Sequence, residues 1–159
     1  MTIYKYSAFY IKSMVENDQS SYVEYFKIIQ NAVDRIARNS FLIKAWAITL
    51  IGGIGILAFS IINTLIFSVL TVIVLFFWIL DSYYLRIERL YRALYNETVE
   101  KFNNPSLRKE ITLFDMKIER FYESSPNLLK VMLSDTEILF YLSLIIGLLS
   151  LLLLNIVLP

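Results

Sequence analysis

The sequence predicts an all-α integral membrane protein: a long antiparallel helical hairpin whose two spans continue into a cytoplasmic stalk, followed by a third span. Residues 41–80 carry one formal charge, Lys44, and a polar break near Ser60 and Asn63 divides them. A second apolar block, 138–158, carries no charge. A bilayer core about 30 Å thick is crossed by roughly 20 apolar helical residues, so the first block accommodates two spans and the second accommodates one.

The predicted organisation has four parts. An amphipathic N-terminal segment ends at a polar break over 17–20, and a capping box from Ser21 to Glu24 opens the hairpin. A second capping box, Ser134 to Glu137, opens the third span. The predicted ranges are 1–20 for the N-terminal segment, 21–104 for the hairpin (spans 41–62 and 64–80, stalk helices 21–40 and 81–104), 105–136 for a cytoplasmic connector and 137–159 for the third span.

Apolar and aromatic side chains recur at alternating spacings of three and four along both stalk helices, which predicts that the two helices pack seam to seam. The first helix carries the series Tyr22, Phe26, Ile29, Val33 and Ile36, and the second carries Tyr84, Ile87, Tyr91, Leu94 and Thr98. We expect the second helix to end near Asn103-Asn104-Pro105. In the connector, residues 111–118 fit a strand or a helix, and 127–133 fit a short helix.

Composition narrows the possible chemistry. The chain is 57% hydrophobic and contains no cysteine and no histidine, which removes thiol nucleophiles, imidazole acid–base chemistry and Cys/His metal sites. The carboxylates and hydroxyls form no recognisable catalytic arrangement. We therefore expect no enzymatic activity, no catalytic residue, no metal and no cofactor.

The distribution of Lys and Arg predicts the orientation. Basic residues flank the hairpin at both open ends and are absent from the turn at 61–64, so both ends should face the cytoplasm. The third span then places Pro159 outside. This predicts a bacterial inner-membrane protein with a cytoplasmic N-terminus and a periplasmic C-terminus.

Two faces of small residues indicate close helix packing, because small side chains let helix backbones approach within a membrane. They are Ala45, Thr49 and Gly53 on the first span, and Ser143, Gly147 and Ser150 on the third. Lys44 has two interpretations: its ammonium can snorkel to the headgroups, or it can form an interface ion pair with Asp81 on the neighbouring helix.

A stripe on the second span is the candidate pore lining. It consists of Thr64, Ser68 and Thr71, and Leu75 and Trp78 continue the same face as a candidate apolar gate. The alternative is that the hydroxyls bond only to the carbonyls of their own helix.

Two motifs near the membrane entries of the hairpin are specific enough to compare with known families. They are Asn39-Ser40-Phe41-x-x-Lys44-x-Trp46-x-x-Thr49, and Phe77-Trp78-x-Leu80-Asp81-x-Tyr83-Tyr84-Leu85-x-x-Glu88-Arg89-x-x-Arg92-x-Leu94-Tyr95. Together with Phe114-Asp115-Met116 and Ser134-x-Thr136-x-x-x-Phe140-Tyr141, they resemble a widespread family of small bacterial membrane proteins. The resemblance extends to transmembrane effectors of anti-phage defence, such as the channel component of Hailong-type systems.

The resemblance implies an oligomeric ion channel that stays closed until phage infection and then depolarises the inner membrane. It also implies a partner nucleotidyltransferase whose nucleic-acid oligomer product opens the channel. Arg86, Arg89 and Arg92 are the candidate contacts for such a ligand or partner, because a basic helix face can meet phosphates.

Two functions remain open from the sequence. The first is a homo-oligomeric gated pore in the lipid bilayer, since three spans of one chain enclose no wide path. The second is a membrane anchor or adaptor that holds a cytoplasmic partner through its helical stalk.

Overall fold

A computed structural model of the protein describes residues 2–57 and 64–157, with side-chain surroundings for 19–54, 65–154 and 156–157. Four α-helices follow in order: α1 (Thr2–Leu57), α2 (Thr64–Asn103), α3 (Leu128–Met132) and α4 (Asp135–Val157). Two 3-10 turns, Arg108–Glu110 and Glu119–Phe121, lie between α2 and α3. No strand occurs in the described ranges, so residues 111–118 form neither a strand nor an α-helix.

Helix α1 is continuous over 56 residues, about 84 Å at the usual rise. The predicted break over 17–20 is therefore wrong, and Ser21 lies inside the helix, where it caps no helix start. The physical reason is that no glycine or proline occurs between residues 2 and 51. Polar residues such as Asn17 and Asp18 disfavour a helix interior by well under about 1 kcal/mol each.

Helix α2 runs without interruption from its apolar half into its polar half and ends at Asn103, as predicted. It lies antiparallel to α1, and aromatic pairs join the two helices in the part of the stalk farthest from their apolar halves. The ring centroids of Tyr22 and Phe102 lie 5.2 Å apart, and those of Phe26 and Tyr95 lie 5.7 Å apart. The predicted turn between the helices lies outside the described residues.

Two apolar cores hold the helices together. One contains Ile51, Leu70, Val74, Tyr141 and Leu148, and it joins the apolar halves of α1 and α2 to α4. The other lies in the stalk around Tyr25, Ile29 and Leu94, where the connector covers it with Ile111, Leu113, Met116, Ile118 and Phe121. The connector is thus folded onto the stalk.

Two of the described helices, α2 and α4, are long and apolar enough to cross a membrane. In the apolar half of α2 and in α4, large apolar side chains point outward: Leu65 is 73% exposed and Leu139 is 76% exposed. The first predicted span, 41–62, extends into residues that the structure does not describe. Its described part also presents large apolar side chains outward, including Phe41 and Trp46.

The connector ends in α3, the short helix predicted over 127–133. Asn127 caps it, since its side-chain oxygen accepts a hydrogen bond from the Lys130 backbone N–H at 2.9 Å. Earlier in the connector, Phe114 adopts a left-handed backbone conformation (φ 65°), which is uncommon for a bulky residue. The turn at Phe114 places its ring 5.9 Å from the ring of Tyr25.

Candidate functional site

Lys44 of α1 bridges two carboxylates from the other long helices. Its ammonium forms ion pairs with Asp81 Oδ2 on α2 and with Glu137 Oε1 on α4, the latter at 2.8 Å. Of the two interpretations of Lys44, the structure thus has the ion pair with Asp81. We call the group of Ser40, Lys44, Asp81, Glu137 and Tyr141 the charge cluster.

Asp81 is fully buried and accepts hydrogen bonds from three side chains. The Ser40 hydroxyl and the Lys44 ammonium both donate to it. The Tyr141 hydroxyl, one turn after Glu137 on α4, donates to Asp81 Oδ2 at 2.9 Å. Each oxygen of this carboxylate therefore has a donor, as a buried charge requires.

Glu137 belongs to the charge cluster, although its sequence position predicts a helix cap. It was predicted to cap α4 together with Ser134, but its side chain turns to Lys44 instead. The Ser134 Oγ atom is buried without a hydrogen-bond partner, so the capping box does not form. One feature of the sequence could have predicted this ion pair. Glu137 lies at the very start of a long apolar helix, and a carboxylate in that position needs a cation partner.

The cluster is held by stacked aromatic side chains. The ring of Trp78 stacks on that of Tyr141 with centroids 5.6 Å apart. The indole N–H of Trp78 donates to the Met132 carbonyl at 3.2 Å, which ties α2 to α3. Trp78, a candidate gate residue, is therefore engaged in contacts within the chain.

The rest of the candidate pore stripe lies apart from the charge cluster. Ser68 and Leu75 are exposed on α2, and Thr64 is the first residue of that helix. The Thr71 hydroxyl donates to the Phe67 carbonyl at 2.9 Å, the bond within the helix that was the alternative interpretation.

The small-residue faces point away from the other helices of the chain. Thr49, Gly53, Ser143 and Gly147 are exposed, and Ala45 is half-buried. A Cβ atom added to Gly53 or Gly147 would meet nothing within 4 Å. Among the described residues, these faces therefore make no close contact with another helix of the chain, so they are open to lipid or to a second chain.

The three candidate arginines do not form one free basic face. Arg92 is exposed and pairs with Glu88 at 2.7 Å, and Arg89 is half-buried. The Arg86 guanidinium lies 5.4 Å from the ring centroid of Tyr122, and its Nε atom is buried without a hydrogen-bond partner.

A polar groove of about 470 Å³ lies between α1 and α2 in the stalk. It is lined by Gln30, Val33, Asp34, Arg92, Tyr95 and Asn96. On another face of the stalk, the Tyr25 hydroxyl donates to the Asp115 carbonyl. Burial raises the pKa of the Tyr25 hydroxyl, so the hydroxyl stays protonated as a donor at neutral pH.

The part of the chain that the structure describes contains no group of three or more carboxylate, imidazole or thiol side chains that could hold a metal ion. No family model, curated protein or solved structure matches the chain. We take the charge cluster as the candidate site, because its buried ion pairs join α1, α2 and α4 at one point.

Proposed function

We propose that the protein is an integral inner-membrane protein of three spans that assembles into a homo-oligomeric gated ion channel. The observation that carries the proposal is the apolar exposure of the outer surface at one end of the helices. Phe41, Val72, Phe76 and Ile146 are each more than half exposed. Such a surface would be costly in water and is suited to lipid.

The proposed orientation has the stalk and connector in the cytoplasm and the C-terminus in the periplasm. It follows the basic residues at the open ends of the hairpin. Pro159 lies outside the described residues. A reporter fused to it tests directly on which side of the membrane the C-terminus lies. A periplasmic signal supports three spans, whereas a cytoplasmic signal contradicts them.

Association of several chains is supported by the outward faces of small residues. Among the described residues, Thr49 and Gly53 on α1 and Ser143 and Gly147 on α4 make no close contact with another helix, yet such faces favour helix packing in membranes. A pore also requires several chains, because one hairpin and one further helix enclose no aqueous path.

The proposed path runs along Ser68 and Thr71 on α2, and Leu75 forms its apolar constriction. Ser68 and Leu75 are exposed in one chain and would face a central axis in an assembly. Asp81 of the charge cluster lies six residues after Leu75 on the same helix, about 9 Å along its axis, so a movement of the stalk would reach the constriction through α2. Depolarisation in anti-phage defence, with a nucleic-acid oligomer as the trigger, is the part of this proposal that rests on the sequence resemblance alone.

The test is ion flux through liposomes that contain the purified full-length protein. Leu75→Ser should conduct without a trigger, because a hydroxyl at an apolar constriction favours its hydration. Adding Ser68→Leu to that variant should reduce the flux. Val69→Leu is the matched control, since it places leucine beside the same position but exchanges one exposed apolar side chain for another.

The outcomes separate the functions. Flux in Leu75→Ser that falls with Ser68→Leu but not with Val69→Leu supports the channel. If folded Leu75→Ser protein conducts no ions, the pore is refuted. If it conducts but cysteines at 68 and 71 remain unlabelled by water-soluble reagents, the path runs elsewhere; the native chain contains no cysteine to interfere.

The second candidate function is a membrane anchor or adaptor, and the polar groove of the stalk favours it. Asp34, Asn96 and Arg92 line the groove with donors and acceptors that a cytoplasmic partner could engage. Loss of a co-purifying partner in Asn96→Leu, with retention in the exposed-site control Glu24→Leu, would support this function.

A further inference from the structure

The charge cluster contains one cation and two carboxylates. Among the described residues, Lys44 is the one cation within ion-pair distance of Asp81 or Glu137. Asp81 is 0% exposed and Glu137 is 1% exposed, so water does not compensate the second negative charge. A buried uncompensated charge is unfavourable by several kcal/mol, whereas taking up one proton removes it.

We propose that the charge cluster is a proton-binding site and that Glu137 holds the proton on Oε2 at neutral pH. This is independent of ion conduction and concerns the cluster in the resting protein.

The hydrogen bonds distinguish Glu137 from Asp81. Asp81 receives donors from Ser40, Lys44 and Tyr141, and these donors stabilise a carboxylate. Glu137 receives one donor, Lys44, on Oε1. Its other oxygen is buried and has no partner, so that is the oxygen on which a proton displaces no existing hydrogen bond.

The groups that face Glu137 come from three helices. Helix α1 contributes Lys44, which donates to Glu137; α2 contributes Asp81 and α4 contributes Tyr141, which are joined to each other by a hydrogen bond and lie within electrostatic range of Glu137. The ring of Phe140 lies 5.7 Å from the Lys44 ammonium and closes one side of the cluster without adding charge. Loss of the proton from Glu137 would leave two carboxylates facing one ammonium. This would occur at one of the contacts that join α4 to the hairpin.

The test is infrared spectroscopy of the purified full chain in lipid vesicles. A protonated carboxylic acid has a C=O stretching band that a carboxylate lacks, and the band shifts when the carboxyl carbon is ¹³C. The proposal predicts this band in the wild type at neutral pH. Labelling the glutamate side chains should shift it, and labelling the aspartates should leave it in place.

Glu137→Gln should abolish the band, whereas Asp135→Asn should retain it. Asp135 is the matched control because it lies at the same helix start with an exposed side chain. Absence of the band in the wild type overturns the proposal, as does a shift with labelled aspartate. Persistence of the band in Glu137→Gln overturns it too. The isotope experiment needs no substitution, so a variant that fails to fold leaves the proposal testable.

Discussion

Replacing Lys44 by Met should destabilise the protein strongly. The substitution keeps the length of the side chain and removes the cation that pairs with Asp81 and Glu137, the one such cation among the described residues. Because both carboxylates are at most 1% exposed, the change leaves buried charge without a partner. Removing one member of a buried ion pair costs about 3–5 kcal/mol. At about 2–4 °C per kcal/mol for a chain of this length, the expected fall in Tm is roughly 6–20 °C.

The assay is thermal unfolding of the purified protein in detergent, followed by circular dichroism. Lys101→Met is the matched control, because Lys101 pairs with Glu97 at 2.6 Å but both side chains are more than a quarter exposed. That surface pair contributes about 0.2–1 kcal/mol. Adding Asp81→Asn and Glu137→Gln to Lys44→Met should recover much of the loss. If Lys44→Met and Lys101→Met lower Tm equally, the charge cluster is solvated and the reasoning is refuted.

Three further outcomes are expected. Gly53→Leu should keep the Tm of the single chain but reduce the size of the assembly in light scattering, because a Cβ at Gly53 meets nothing within the chain; an unchanged size would mean that this face contacts lipid alone. Tyr25→Phe should cost about 0.5–1.5 kcal/mol and speed hydrogen exchange of the turn at Asp115, since it removes the hydroxyl that donates there; equal exchange in both proteins would show that the bond does not hold the connector. In vesicles of brominated lipid, Trp46, which is 63% exposed, should be quenched more than Trp78, which stacks on a tyrosine; single-tryptophan variants measure this, and no quenching at Trp46 would contradict membrane insertion.

Local patterns in the sequence determined much of the architecture. The seam residues Ile29 and Leu94 lie in the stalk core as predicted, because a repeat of three and four residues places them on one helix face. The Asn-Asn-Pro run ends α2 at Asn103, because proline lacks the N–H that a continuing helix needs. The break predicted over 17–20 failed because weak local preferences do not interrupt a long helix without glycine or proline.

The charge cluster was only partly visible in the sequence. Lys44 and Asp81 could be paired from the sequence because a hairpin places residues at similar distances from its turn side by side. Glu137 lies 93 positions from Lys44, and its approach depends on how the connector folds onto the stalk and delivers the start of α4. Likewise, which faces of α1 and α4 point outward follows from packing around Val74 and Tyr141, and helical periodicity alone does not decide it. Helix content is thus set by neighbours in the chain, whereas the partners of buried charges are set by contacts that exist only once all three long helices are packed.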